Sequence, residues 1–314
     1  LAVGFGQSNM VGTGGSLTLT VPSTHASICY GAGTFYAWTA TFGSQVSWVL
    51  LLLQKIYDTY GVPVGMVMQA LGSTGLTQSG DSWNPATASS GSQYNRSRHM
   101  FDAGCGAQSP NHIFWHQGEN DADALASQAT YEAALAAMKD AHDTYTGNTL
   151  PWRVVSIGPG SVTGSLAIRK ALQNLASNDD DFLLACTTAH IPTVDGVHFG
   201  SQANKQIIAN EVYRNIIGSG RGPIYSSGSV SGSTFILNFT GGSGNLVVGA
   251  SPTVGWTCTD STGSLTVTGV SATGPNQLTL TCNRTITGSA GQRIAKWCYG
   301  DTGLGLTIKD SDAT

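Results

Sequence analysis

Apolar and polar positions follow two different rhythms along the chain. From residue 1 to about 220, short apolar, β-branched runs occur at 1–5, 62–70, 113–116, 152–157 and 182–186. Segments with helical spacing lie between and after them, at 45–59, 93–103, 122–145, 166–177 and 202–217. Strand and helix signals in alternation predict a parallel sheet with helices on both faces, because each parallel strand must return through a crossover. The last helix reads well, with Ser201 as N-cap and Ile207, Ile208, Val212 and Ile216 as its apolar stripe. Ligands of such sheets bind beyond the carboxyl ends of the strands. The residues directly after each apolar run are therefore the ones to read for chemistry.

Beyond Gly222 the period falls to two. In NQLTLTCNRTI, Leu278, Leu280 and Cys282 share one face, with Thr279, Thr281 and Asn283 opposite. Short β-rich runs broken by Gly, Ser and Asn turns, without helical spacing, predict a small antiparallel, sandwich-like β domain. The expected division is 1–220 and 223–314, with the boundary in GSGRGP at 218–223. No internal repeat is evident.

Composition narrows the function classes. Only 10% of the 314 residues are charged, 41 are glycine, and the formal net charge is −4; a typical domain carries about a quarter charged residues. A surface made polar by hydroxyls and amides suits an extracellular or virion-associated protein. With no cluster of Lys and Arg, no nucleic-acid partner is expected. The longest apolar run, 49–53, is far short of the ~18 residues needed to span a bilayer, so no membrane insertion is expected. The chain begins with Leu1 inside a strand pattern, without Met or a signal peptide, which reads as the interior of a longer product. Its six cysteines form no CxxC pair, and no metal or cofactor motif appears. Gly12, Gly14 and Gly15 lack the spacing and the lysine of a phosphate loop and read as a flexible rim. Cys186 reads as a buried strand thiol, and one disulfide is expected among Cys258, Cys282 and Cys298.

Four strand ends carry candidate chemistry. GQSNM presents Ser8 directly after the first apolar run. A serine hydroxyl needs a base within hydrogen-bond reach, and that base needs a group to fix its tautomer. TVDGVHFG supplies such a pair, Asp195 three residues before His198, so that the carboxylate can take Nδ1–H and leave Nε2 for a nucleophile. An oxyanion needs N–H donors. ALGSTG offers a backbone donor at Gly72, and WHQGEND offers the side-chain amides of Gln117 and Asn120 on either side of Gly118. Alone, each is an ordinary turn or strand-end glycine. Their joint occurrence after successive apolar runs gives the pattern its weight.

GQSNM, ALGSTG, WHQGEND and DGVH resemble blocks I, II, III and V of the SGNH hydrolases, and GQSNM together with WHQGE is similar to the sialate O-acetylesterase-like carbohydrate esterases. The resemblance covers residues 1 to about 217, and the C-terminal segment is similar to a β appendage of some members. It implies a three-layer α/β/α, flavodoxin-like sheet of about five parallel strands, although the first strand is cut short at Leu1. It also implies removal of O-acetyl groups from carbohydrates, either acetylated polysaccharide or sialic acid, through an acetyl-serine. Carried across, Ser8 is the nucleophile, His198 the base and then acid, and Asp195 its orienter. Backbone N–H groups of Ser8 and Gly72 serve the oxyanion. The side-chain donor is Gln117 by the esterase subgroup's pattern, which is favoured, or Asn120 by the general one. No metal or cofactor is implied.

Glu119 reads as structural, holding its loop through backbone N–H groups, while Gln7 and Asn9 tie down the turn around Ser8. Trp83, Trp115 and His116 are candidate sugar contacts, with packing as the competing reading for the two tryptophans. Arg96 and Arg98 receive no role, and His99, His112, His142 and His190 no partner. Two other classes compete with the esterase. One is a glycan-binding protein, such as a phage tail fibre or secreted adhesin, on an esterase scaffold with little activity. The other is a lipid esterase, whose first block would read GDSL.

Overall fold

A computed structural model describes residues 1–12, 17–18, 26–30, 35–37, 41–42, 47–78, 82–105, 110–158, 164–188, 191, 193–218, 224–240, 253, 256–274, 276–297 and 306–309. Gly14, Gly15, His190, Cys298 and most of the boundary segment lie outside them. Two compact units divide the chain, Leu1–Tyr213 and Arg214–Thr314.

All five apolar runs of the first unit form parallel strands, in the spatial order Val64–Ala70, Ala2–Gly6, His112–His116, Trp152–Val155, Phe182–Cys186. This is the doubly wound order 2-1-3-4-5. Ala26–Tyr30 adds a further parallel strand beyond Val64–Ala70, and Phe35–Ala37 closes that edge antiparallel. Side-chain alternation splits the central strands between two helical layers. Val3, Phe5, Val67, Ile113, Trp115 and Trp152 pack with residues of helices Gln93–Cys105, Gln128–Thr146 and Ser165–Asn178. On the other face Trp48, from helix Trp48–Tyr60, packs edge-on against Phe114. Lys55 of that helix lies over the ring of Tyr213 in helix Gln202–Ile216.

Two expected helices differ in detail. The segment 122–145 is broken into Glu119–Asp123 and Gln128–Thr146, because Ser127 caps the second helix by accepting from Thr130 N (3.1 Å), with Leu125 at φ 60° between them. In the last helix Ser201 Oγ accepts from Asn204 N as expected of a cap, but Ile207 faces solvent. Lys205, Ile208, Ala209, Val212 and Tyr213 make the buried face instead. No helix among the described residues is long and apolar enough to cross a membrane.

The second unit holds two antiparallel four-stranded sheets. Phe235, Leu237, Leu280 and Cys282 from one sheet meet Cys258, Leu265 and Ala295 from the other, with Ile286, in a single core. Leu280 and Cys282 face inward and Thr281 outward, as the alternation required. Cys258 and Cys282 are free thiols in contact, not a disulfide, and desolvation pushes the Cys258 thiol up to about 12. Cys186 is buried and free, as read from its strand.

Candidate active site

Strand register brings the motifs to one edge. Gly6 pairs with Ala70 on one side and His116 on the other. Three strands therefore end level, and two residues later they deliver Ser8, Gly72 and Gly118. The approach leaves no room at Gly6, where a Cβ would lie 2.2 Å from His116 O and 2.8 Å from Met10 Cβ. A Cβ on Gly72 would lie 3.7 Å from Ser8 Cβ, which fixes that loop beside the serine.

Ser8 opens a four-residue helical turn, Ser8–Val11. His198 Nε2 lies 2.9 Å from Ser8 Oγ, and His198 Nδ1 lies 2.6 Å from Asp195 Oδ2. With Nδ1–H donated to the carboxylate, Nε2 is left to accept the serine O–H. The other Asp195 oxygen accepts the backbone N–H of Val197 (2.9 Å) and of His198 (2.7 Å), so the carboxylate is held by the turn it orients. Desolvation pushes the Asp195 carboxyl up, but the imidazole and these N–H donors outweigh it and bring it down to about 2.

The amides flanking Ser8 grip the opposite loop. Gln7 Nε2 donates to Glu119 Oε2, and Asn9 Nδ2 donates to Glu119 Oε1 at 2.6 Å. Glu119 thus holds side-chain amides of the first motif in addition to a backbone N–H, its own. Burial pushes its carboxyl up, while the amide donors from Asn9 and Gln7 favour the ionised form.

The two candidate oxyanion amides have different fates. Gln117 is fully buried; its Nε2 donates to Thr74 O (3.0 Å) and Asp121 Oδ2 (2.6 Å), and its Oε1 accepts from Tyr131 OH (3.1 Å). Both amide protons are committed, which removes Gln117 from the donors available to a substrate. The favoured assignment from sequence is corrected on that ground. Asn120 is half-buried, and its Nδ2 has no acceptor among the described residues. It stands over the ALGSTG loop, 3.1 Å from where a Cβ on Gly75 would be. The backbone N–H groups of Ser8 and Gly72 also lack an acceptor among the described residues. Gly118 separates the two amides at φ 145°, a conformation reserved for glycine.

The three candidate sugar contacts are corrected as well. Trp83, Trp115 and His116 are completely buried. Both indole N–H groups and one imidazole nitrogen are engaged inside the fold, and the other imidazole nitrogen, His116 Nε2, is buried. Trp83 Nε1 donates to Thr74 Oγ1 (3.0 Å), Trp115 Nε1 to Tyr131 OH (3.1 Å), and His116 Nδ1 accepts from Trp48 Nε1 (3.0 Å). His142, left without a partner on sequence, is buried beside Ser97 Oγ at 3.1 Å, and His112 lies 2.8 Å from Arg153. Asp121 escaped notice in the sequence, yet it takes Leu76 N (2.8 Å), Thr77 N (2.7 Å) and Thr77 Oγ1 (2.6 Å) besides the Gln117 amide, anchoring the Gly72 loop. Its position in the first turn after Gly118, beside Glu119, was the available signal. No cluster of three metal-ligating acid, thiol or imidazole groups occurs among the described residues.

A family model described as carbohydrate esterase, sialic acid-specific acetylesterase, matches residues 2–212. Among solved structures, the chain is similar to XAC1771, a carbohydrate acetylesterase from Xanthomonas citri. The TM-score is 0.63 at 14% identity, covering 98% of this chain and 77% of that one. It is also similar to a protein from Arabidopsis thaliana, with a TM-score of 0.55 at 15% identity over 69% of this chain and 98% of that one. At these identities the likeness is one of fold. No curated protein matches the chain in sequence.

Proposed function

Because the chain belongs to the sialic acid-specific acetylesterase family of carbohydrate esterases, we propose that it removes O-acetyl groups from carbohydrate through an acetyl-serine intermediate. The relay from Asp195 through His198 to Ser8, at 2.6 and 2.9 Å, carries the reading.

Ser8 Oγ attacks the acetyl carbonyl carbon as its proton passes to His198 Nε2. The carbonyl oxygen gains the negative charge and meets the free N–H groups of Ser8 and Gly72 and the uncommitted amide of Asn120. On collapse the sugar oxygen leaves, taking the proton from His198. Water, deprotonated by His198, then attacks the acetyl-serine, and acetate departs as Ser8 regains its proton. Asp195 holds the imidazole tautomer and stabilises the imidazolium in both halves. The sparse charge and hydroxyl-rich composition suit work outside the cytoplasm, extracellular or on a virion.

Acetate release from p-nitrophenyl acetate, acetylated xylan, O-acetylated sialic acid and bacterial O-antigens tests the proposal. At least one acetylated glycan is expected to be cleaved, with Ser8→Ala lowering kcat by about 10⁴–10⁶-fold. A preference for acyl chains longer than butyryl would remove the acetyl-sugar assignment. Absence of acetate release from every substrate would remove the enzyme.

A further inference from the structure

Asn9, the residue after the nucleophile, grips the backbone on both sides of His198. Its Nδ2 donates to Val197 O at 3.0 Å, and its Oδ1 accepts from Phe199 N at 3.3 Å. The second Nδ2 proton goes to Glu119 Oε1 at 2.6 Å. The amide is buried, and neither proton is spare. The orientation is unique: a flipped amide would set its oxygen against the Glu119 carboxylate and the Val197 carbonyl. Glu119 enforces it, being buried itself and held by Gln7 Nε2. Asp195 orients the imidazole from within its own turn. Apart from the reacting contact between His198 Nε2 and Ser8 Oγ, Asn9 supplies the side-chain hydrogen bonds among the described residues that tie that turn to the segment bearing Ser8.

Resting on the esterase reading above, we propose that Asn9 is a positioning residue of the reaction, its amide setting His198 against Ser8, with Glu119 locking that amide in place. A merely structural asparagine would affect melting and leave turnover per folded molecule intact. A positioning asparagine affects kcat, because a displacement of about 1 Å in the reacting pair costs on the order of 10²-fold.

Asn9→Asp keeps the shape and the acceptor for Phe199 N, but sets a carboxylate against Glu119 and the Val197 carbonyl. With p-nitrophenyl acetate at pH 8, kcat is expected to fall about 10²-fold with KM within about 3-fold of wild type. As pH falls, the two carboxyl groups come to share a proton and a donor is restored, so kcat relative to wild type rises. Adding Glu119→Gln is expected to recover at least about tenfold: its oxygen still accepts from Gln7, and its amide now donates to the introduced carboxylate. Melting and near-ultraviolet circular dichroism confirm folding. If Asn9→Asp does not fold, Glu119→Gln alone serves, with kcat about tenfold lower at unchanged KM. Folded variants with wild-type kcat, or with a reduced kcat that neither lower pH nor the second substitution restores, overturn the proposal while leaving the esterase reading in place. A wild-type protein releasing acetate from no ester overturns both.

Discussion

Replacing Gln117 and Asn120 separately by alanine distinguishes an amide that builds the site from one that serves the reaction. Gln117→Ala deletes two donated bonds and one accepted bond inside the fold. Thr74 O loses its donor from Gln117. Asp121 keeps Leu76 N and both groups of Thr77, and Tyr131 OH keeps Gln117 O at 2.8 Å. Buried groups deprived of partners cost about 1–3 kcal/mol each, but two of the three here retain alternatives. About 3 kcal/mol for the bonds and about 1 kcal/mol for the vacated volume give roughly 4 kcal/mol. In a unit of this size that is a fall of about 10 °C in Tm.

Asn120→Ala deletes an amide that holds nothing among the described residues, and Tm is expected to move by less than about 2 °C. If the amide meets the oxyanion, its loss costs about 2.7–4 kcal/mol in the transition state, a fall in kcat of about 10²–10³-fold. Differential scanning fluorimetry and steady-state acetate release, run well below the lower melting point, read both quantities on the same samples. The expected pattern is crossed: Gln117→Ala melts early with kcat within about tenfold of wild type, and Asn120→Ala melts normally with kcat lost. The opposite pattern, with kcat abolished by a stable Gln117→Ala and unchanged in Asn120→Ala, refutes the reasoning.

Gly6→Ala is expected to destabilise the first unit by about 3 kcal/mol or to prevent folding, since the added Cβ overlaps the main-chain oxygen of His116; a normal urea midpoint would contradict this. Burial lowers His116 and His142 to about 3. Between that value and the unfolded value near 6.5 the unfolded chain binds the extra protons, so urea-measured stability falls with falling pH by about 1.4 kcal/mol per unit for each histidine. Glu119 carries the opposite sign: its raised folded value makes ionisation cost stability as pH rises above the ordinary carboxylate range. The stability of Glu119→Gln relative to wild type should therefore climb with pH by about 1.4 kcal/mol per unit across that window, and a flat difference would show that the carboxyl is not shifted.

The sheet was legible in the sequence because parallel strands buried on both faces leave continuous apolar runs, and all five were visible. Ala26–Tyr30 was not, since no helical spacing in the sequence separates ASICY from the first apolar run. Ser8, Asp195 and His198 could be named because their chemistry depends on residue type and spacing. The fate of amides and indoles could not, because it depends on which way a loop turns. Gln117 and Asn120 are equivalent until Gly118 adopts φ 145°, keeping one amide beneath the strand end and carrying the other into the next helical turn. Trp83 follows a glycine-rich loop, as a sugar platform would, but its indole finds Thr74 Oγ1 and its ring packs edge-on against Trp115 at 5.4 Å.

Three acidic side chains in this sparsely charged site do different work because their surroundings differ. Asp195 is half exposed and brought down to about 2, so it stays ionised wherever an imidazole can act as a base, and loss of activity in mild acid cannot originate there. Asp121 accepts four hydrogen bonds in the interior and fixes the Gly72 loop to the helix after Gly118. Glu119 is pulled two ways, since burial favours its neutral form while two amide donors require acceptor oxygens. Protonating it places a hydroxyl against an N–H of Gln7 or Asn9, and Asn9 is the residue that holds the backbone around His198. A charge that weakens the fold therefore orders the site, and the acid side of the rate profile is expected to draw on Glu119 rather than on the aspartate of the relay.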